Sequence, residues 1–119
     1  MQIIDKEALD DFIQGDHELL GDLASMFTQY LPDMQARMCL AITDRDASAL
    51  RESAHQMKAR LGYFQAASLQ EIAAQLEKQA QAGELDAASQ TLRRLLDGCQ
   101  RLLGELRVYT GLSLNTCDE

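Results

Sequence analysis

In the run Ala54-His55-Gln56-Met57-Lys58-Ala59-Arg60-Leu61-Gly62, a lysine follows a histidine by three residues, with small residues at Ala59 and Gly62. On a helix such spacings bring side chains to one side, so Lys58 lies beside His55 and little bulk at Ala59 and Gly62 covers the approach to its imidazole. Neutral imidazole is a good nucleophile near neutral pH, because its unperturbed pKa is about 6.5. A lysine one turn away can pair with an anionic group added to the ring. This is what covalent acceptance of a phosphoryl group requires, a reaction that depends mainly on positioning and charge stabilisation. Arg51 and Arg60 add to the local positive charge.

The other chemistries that the residue types suggest are weaker. Glu52 and His55 have the Glu-x-x-His spacing of di-iron bundle proteins. That site needs two such pairs and two further glutamates, and His17 has no glutamate three residues before it. His17, between Asp16 and Glu18 in the first turn of a helix, reads as a surface residue. Cys39, Cys99 and Cys117 have no metal-ligand spacing and read as reduced thiols, with Cys39 and Cys99 as small packing residues. No GxxxxGK[ST] phosphate loop occurs, so ATP binding and autophosphorylation are not expected.

The elements that must position His55 are helices. Ala, Leu, Gln, Glu and Arg dominate, and no stretch sustains strand alternation. A short first helix from Asp5 to Ile13 is capped by Asp5, with Leu9, Phe12 and Ile13 apolar. Gly15-Asp16 breaks it. A second helix from His17 to Ile42 carries Leu19, Leu20, Leu23, Met26, Phe27, Tyr30, Leu31, Met34 and Met38, and Pro32 should kink or split it. A third helix, capped by Asp46, runs to Tyr63 and buries Leu50, Ala54, Met57 and Leu61. His55 lies about 100° around the helix from Ala54, beside the core stripe rather than in it. Ser68-Leu69-Gln70-Glu71 has the spacing of a capping box and starts a fourth helix carrying Leu69, Ile72, Ala73, Leu76 and Ala80. Gly83 stops it. A fifth helix from Leu85 to Tyr109 turns Leu92, Leu95, Leu96, Cys99, Leu102, Leu103 and Leu106 inward. The expected architecture is an all-α, antiparallel four-helix bundle with the short N-terminal helix covering one end, over residues 1–110, and a frayed tail over 111–119.

With 119 residues the chain can bury a core without disulfides or metal. Its net charge of −8 makes nucleic acid and anionic membranes poor partners. No apolar run is long enough to span a membrane, and Met1-Gln2-Ile3-Ile4-Asp5 has no signal-peptide pattern, so a cytoplasmic protein is expected; Met1 favours a free-standing protein, with a domain of a hybrid sensor kinase as the open alternative.

The chain resembles a histidine-containing phosphotransfer (HPt) domain of two-component phosphorelays over about residues 3 to 107. Leu9 followed by Gly15-Asp16-His17-Glu18-Leu19-Leu20 is similar to the family's opening. Ala54-His55-Gln56-Met57-Lys58 is similar to its Ala-His-x-apolar-Lys core, and Leu76-Glu77 with Gly83-Glu84-Leu85 to its later landmarks. Two positions depart from the pattern. Ala59-Arg60 stands where the family has glycine and a small residue, and Gln65 replaces a glycine before Ala66.

The resemblance implies a four-helix bundle with His55 as an exposed phosphoacceptor, Lys58 as the cation beside it and Glu77 as the acceptor that orients the imidazole. It implies partners that are receiver domains of response regulators or of a hybrid sensor kinase. No cofactor is expected on this chain, since the receiver supplies the aspartate and its magnesium. A monomer is expected. A partner surface around His55 would include Leu9, Phe12, Arg51 and Arg60. The alternative is an interaction module that sequesters a receiver without carrying phosphate, which would have no need of His55.

Overall fold

The computed structural model describes residues 3–110, so the expected tail and Cys117 lie outside the described residues. The helices are α1 (Lys6–Ile13), α2 (His17–Thr43), α3 (Ala47–Leu61), α4 (Ala67–Gln81) and α5 (Leu85–Thr110), with a 3-10 turn at Gly62–Phe64. There is no strand among the described residues. The three expected aspartate caps form. Asp5 accepts from the Ala8 N–H at 3.1 Å, Asp16 from Leu19 at 3.0 Å and Asp46 from Ala49 at 3.1 Å. Gly83, at φ +77°, follows the last turn of α4 and lets the chain reverse there.

Each long helix packs on two others: α2 on α3 and α5, and α4 on α3 and α5. That closed ring, joined in sequence by short turns, is an up-and-down four-helix bundle. Its core is largely the expected set. Leu50, Ala54, Met57 and Leu61 of α3 face Leu69, Ala73, Leu76 and Ala80 of α4 within one buried cluster. On α5, Gly98 admits α4 closely, since a Cβ there would run into Leu69 Cδ2. α1 packs on α2, and the segment leading into it is tied to α5. The Glu105 carboxylate accepts from the Ile3 N–H at 2.8 and 2.9 Å and from Ile4 at 2.9 Å. With Ile3, Ile4, Leu9 and Ile13 buried, this segment covers the end where α2 begins and α5 finishes.

Several local expectations are corrected. Of the expected kink or split at Pro32, the split does not occur: α2 runs through the proline, with Leu31 before it and Met34 two residues after it held in the core. Pro32 itself sits on the exposed face, where the backbone bond it forfeits has access to water. Leu19 and Met26 of the expected stripe stay exposed, while Gly21 and Ala24 are buried in their place. Cys39 is exposed rather than packed, whereas Cys99 is buried. α3 stops at Leu61 and tightens into the 3-10 turn instead of reaching Tyr63. Ser68 is no cap, because it is the second residue of α4. The N-cap position is Ala66, whose side chain makes no capping bond.

The turn between α3 and α4 depends on Gln65, which takes a left-handed φ of 55°. This is where the resembled family has glycine, and only glycine adopts that conformation without strain. Gln65 compensates by donating its side-chain amide to the Gly62 carbonyl at 3.0 Å, beside a backbone bond to the same oxygen at 3.1 Å. Gln65→Gly relieves the backbone and loses one hydrogen bond, so stability should move by less than about 1 kcal/mol. Gln65→Val loses the bond and keeps the strain, and should cost about 1–2 kcal/mol. Urea unfolding of both variants checks this, and equal destabilisation by the two would contradict strain at Gln65.

Candidate functional site

The core stripe of α3 sets where His55 points. Leu50, Ala54, Met57 and Leu61 are all fully buried, so the position next to Ala54 faces the flank of the bundle. The His55 side chain is 63% exposed, and its ring reaches across to α4. Because α4 returns antiparallel to α3, Glu77 stands opposite His55. Glu77 follows the buried Leu76 and is half-sunk beside the α4 stripe.

One carboxylate serves both chemical groups of α3. Glu77 Oε2 lies 3.1 Å from His55 Nδ1, and Oε1 lies 3.3 Å from Lys58 Nζ. Partial burial pushes the Glu77 carboxyl upward. The Lys58 ammonium and then the His55 imidazole, each through a hydrogen bond and charge, outweigh that and hold it below its ordinary value. Glu77 is therefore ionised at neutral pH and can only accept. Its bond to Nδ1 requires the proton to sit on that nitrogen. In the neutral ring this leaves the lone pair on Nε2, which makes no hydrogen bond among the described residues.

Beside the imidazole, between α3 and α4, lies an open concavity of about 420 Å3. Ala59, Ala67 and Ala74 keep it shallow, with Lys58, Gln70 and Glu71 around them. Ala59 thus lines the concavity beside the ring. Gly62 does not leave open space. The Gln70 side chain crosses above it, so that a Cβ on residue 62 would come within 3.0 Å of Gln70 Nε2.

The expected partner residues divide. Phe12 is 48% exposed, and Arg51 is exposed one turn before His55. Leu9 is fully buried, which corrects its assignment to the surface: the stripe of α1 that holds Leu9 and Ile13 plugs the bundle end, and only Phe12 turns outward. Arg60 is exposed but lies about 140° around α3 from His55. Its guanidinium stacks 3.9 Å from the centre of the Tyr30 ring on α2. Sequence reasoning did not assign Met26 and Tyr63 to the surface, yet they are 59% and 48% exposed and line a small cleft with Leu23 and Arg60. Neither did it foresee that Lys58 pairs with Glu77, since no sequence spacing connects α3 to α4. Burial pushes the Cys99 thiol up to about 12, which leaves it unreactive. Among the described residues no group of three or more His, Cys, Asp or Glu is gathered to hold a metal ion, and no helix is long and apolar enough to cross a membrane.

The lowered Glu77 pKa has a defined consequence for stability. A carboxyl that ionises more readily in the folded chain contributes fully above its ordinary value of 4.5 and loses that contribution as pH falls through the lower folded value. Native protein should therefore lose more stability than Glu77→Gln when the pH drops from about 6 to about 3. Urea unfolding across that window reads the difference. Parallel curves would show that the carboxylate gains nothing from Lys58 and His55.

A family model for the Hpt domain matches residues 22–105. No curated protein and no solved structure gives a significant match to the chain. The matched span takes in the helix carrying His55 and Lys58, the helix carrying Glu77, and most of the two helices that pack against them. On that match the chain belongs to the histidine phosphotransfer (HPt) domain family, and its role is histidine phosphotransfer in phosphorelays.

Proposed function

We propose that His55 takes a phosphoryl group from the phosphoaspartate of one receiver domain and passes it to the aspartate of another. The observation that carries this reading is the shared Glu77 carboxylate, which fixes Nδ1–H and leaves an exposed Nε2 as the nucleophile. In the forward step the Nε2 lone pair attacks phosphorus. The N–P bond forms as the P–O bond to the donor aspartate breaks, and the aspartate leaves as a carboxylate with the electron pair. No proton moves. The ring keeps its Nδ1–H and becomes cationic, and Glu77 faces that charge. In the second step an acceptor carboxylate attacks the same phosphorus, and the electron pair of the N–P bond returns to Nε2.

Lys58 is close enough to divide its charge between Glu77 and the added phosphoryl group, because its ammonium already lies one turn from the imidazole. The chain contributes nucleophile, orientation and one cation, and acts as a carrier rather than as a kinase. The magnesium that phosphoryl transfer uses is assigned to the receiver. The docking surface is assigned to the exposed side of α3 around His55, with Arg51 on the same helix side. A module that only bound receivers would have no use for a carboxylate holding one tautomer of an exposed histidine, and that bond favours the carrier over the sequestering reading.

Purified chain mixed with phosphorylated receivers tests this. His55→Ala should take no label while binding the receiver within about twofold of native, since truncating one exposed side chain removes little interface. Label retained by that variant would contradict the assignment. Lys58→Ala should still accept phosphate, more slowly by on the order of tenfold to a hundredfold. An unchanged rate would remove Lys58 from the mechanism.

A further inference from the structure

Gln70 sits across from the last turn of α3, seven residues before Glu77 on α4. Its side-chain amide donates to the Lys58 carbonyl at 3.3 Å. That carbonyl lacks its regular helical partner, because the Gly62 N–H turns to Ala59 and Arg60 where the chain tightens into the 3-10 turn. Gln70 fills the vacancy. Gly62 is what admits it, given that any Cβ there would press on the amide nitrogen at 3.0 Å. Lys58 is thus held twice from α4: its backbone by Gln70 and its ammonium by Glu77.

Resting on the carrier reading, we infer that Gln70 is a positioning residue for phosphoryl transfer and acts through Lys58. The ammonium must shift its charge from Glu77 toward the phosphoryl group while its Cα stays where the group can be reached. A hydrogen bond to the Lys58 carbonyl pins that Cα at the point where the regular helix ends, next to the concavity beside His55. Without the pin, the final turn of α3 keeps its core contacts, the turn bonds that lead into α4 and the Glu77 bridge, and the reaction loosens the last of these. Gly62 belongs to the same device, since its role is to make room for the amide rather than to expose the imidazole.

The test uses phosphoramidate, a small donor that needs no partner, and follows label on His55 in the full chain. Gln70→Ala and Gln70→Glu, neither of which can donate to the carbonyl, should each slow labelling by on the order of threefold to tenfold. In a Lys58→Ala background the same changes should have no further effect, because their path runs through Lys58. Gly62→Ala should slow labelling in the native background and add nothing to Gln70→Ala. Equal losses in both backgrounds would reveal a general structural role and overturn the inference, as would an undiminished rate in Gln70→Ala. If the native chain takes no label from phosphoramidate or from a receiver, the carrier reading fails separately. The inference is then judged by the nitrogen resonance of the Lys58 ammonium, which moves in Gln70→Ala if Gln70 positions Lys58 and overturns the inference if it does not.

Discussion

A carboxylate shared between an imidazole and an ammonium couples three positions to one another, and the site is built around that coupling. Glu77 can reach His55 and Lys58 together only if α3 and α4 run antiparallel, close, and in one register. The closeness comes from small residues at and beside the contact. Ala54, Ala66 and Ala73 are fully buried, and Ala59 and Ala74 both line the surface concavity. The register is fixed by the tight turn at Gly62–Phe64 and by Gln65 in its left-handed conformation. The rest of the bundle holds this pair in place: α2 and α5 back it, Gly98 lets α5 approach Leu69, and the N-terminal segment is tied to Glu105.

In the proposed transfer, Lys58 offsets Glu77, and the ring that becomes cationic offsets part of the phosphoryl charge. Before transfer a neutral imidazole, Glu77 and Lys58 sum to about zero. With a phosphoryl group bearing about two negative charges on a cationic ring, the four groups sum to about −1. In the proposed transfer Lys58 serves two anions, and its backbone is the one that α4 grips independently through Gln70. In a chain with a net charge of −8, a local site that stays close to neutral avoids placing the phosphoryl group in a field that would repel it.

Much of this was legible in the sequence, for physical reasons. The α3 stripe is a period-3.6 pattern, so the burial of Leu50, Ala54, Met57 and Leu61 and the exposure of His55 follow from it together. The aspartate caps at Asp5, Asp16 and Asp46 are local and read correctly. What failed was non-local or depended on which apolar face wins. Leu9 and Phe12 are both apolar on a short helix, and only packing decides that Leu9 goes inside. Ser68 and Glu71 have capping-box spacing, but the turn set by Gln65 starts the helix before them. Gly62 looked like bare space beside a histidine, and Gln70, arriving from the next helix, fills it. The Lys58–Glu77 pair spans two helices and leaves no mark in the spacing along either one.

In the proposed transfer, Glu77 holds the proton on Nδ1 and so selects Nε2 as the phosphorylated atom. Phosphorus and nitrogen NMR of the labelled chain reads the position directly. Phosphate bonded to Nε2, with Nδ1 still protonated, is the result that the shared carboxylate predicts. Phosphate on Nδ1 would require the Glu77 bond to be broken before transfer, and would contradict the role given to the shared carboxylate.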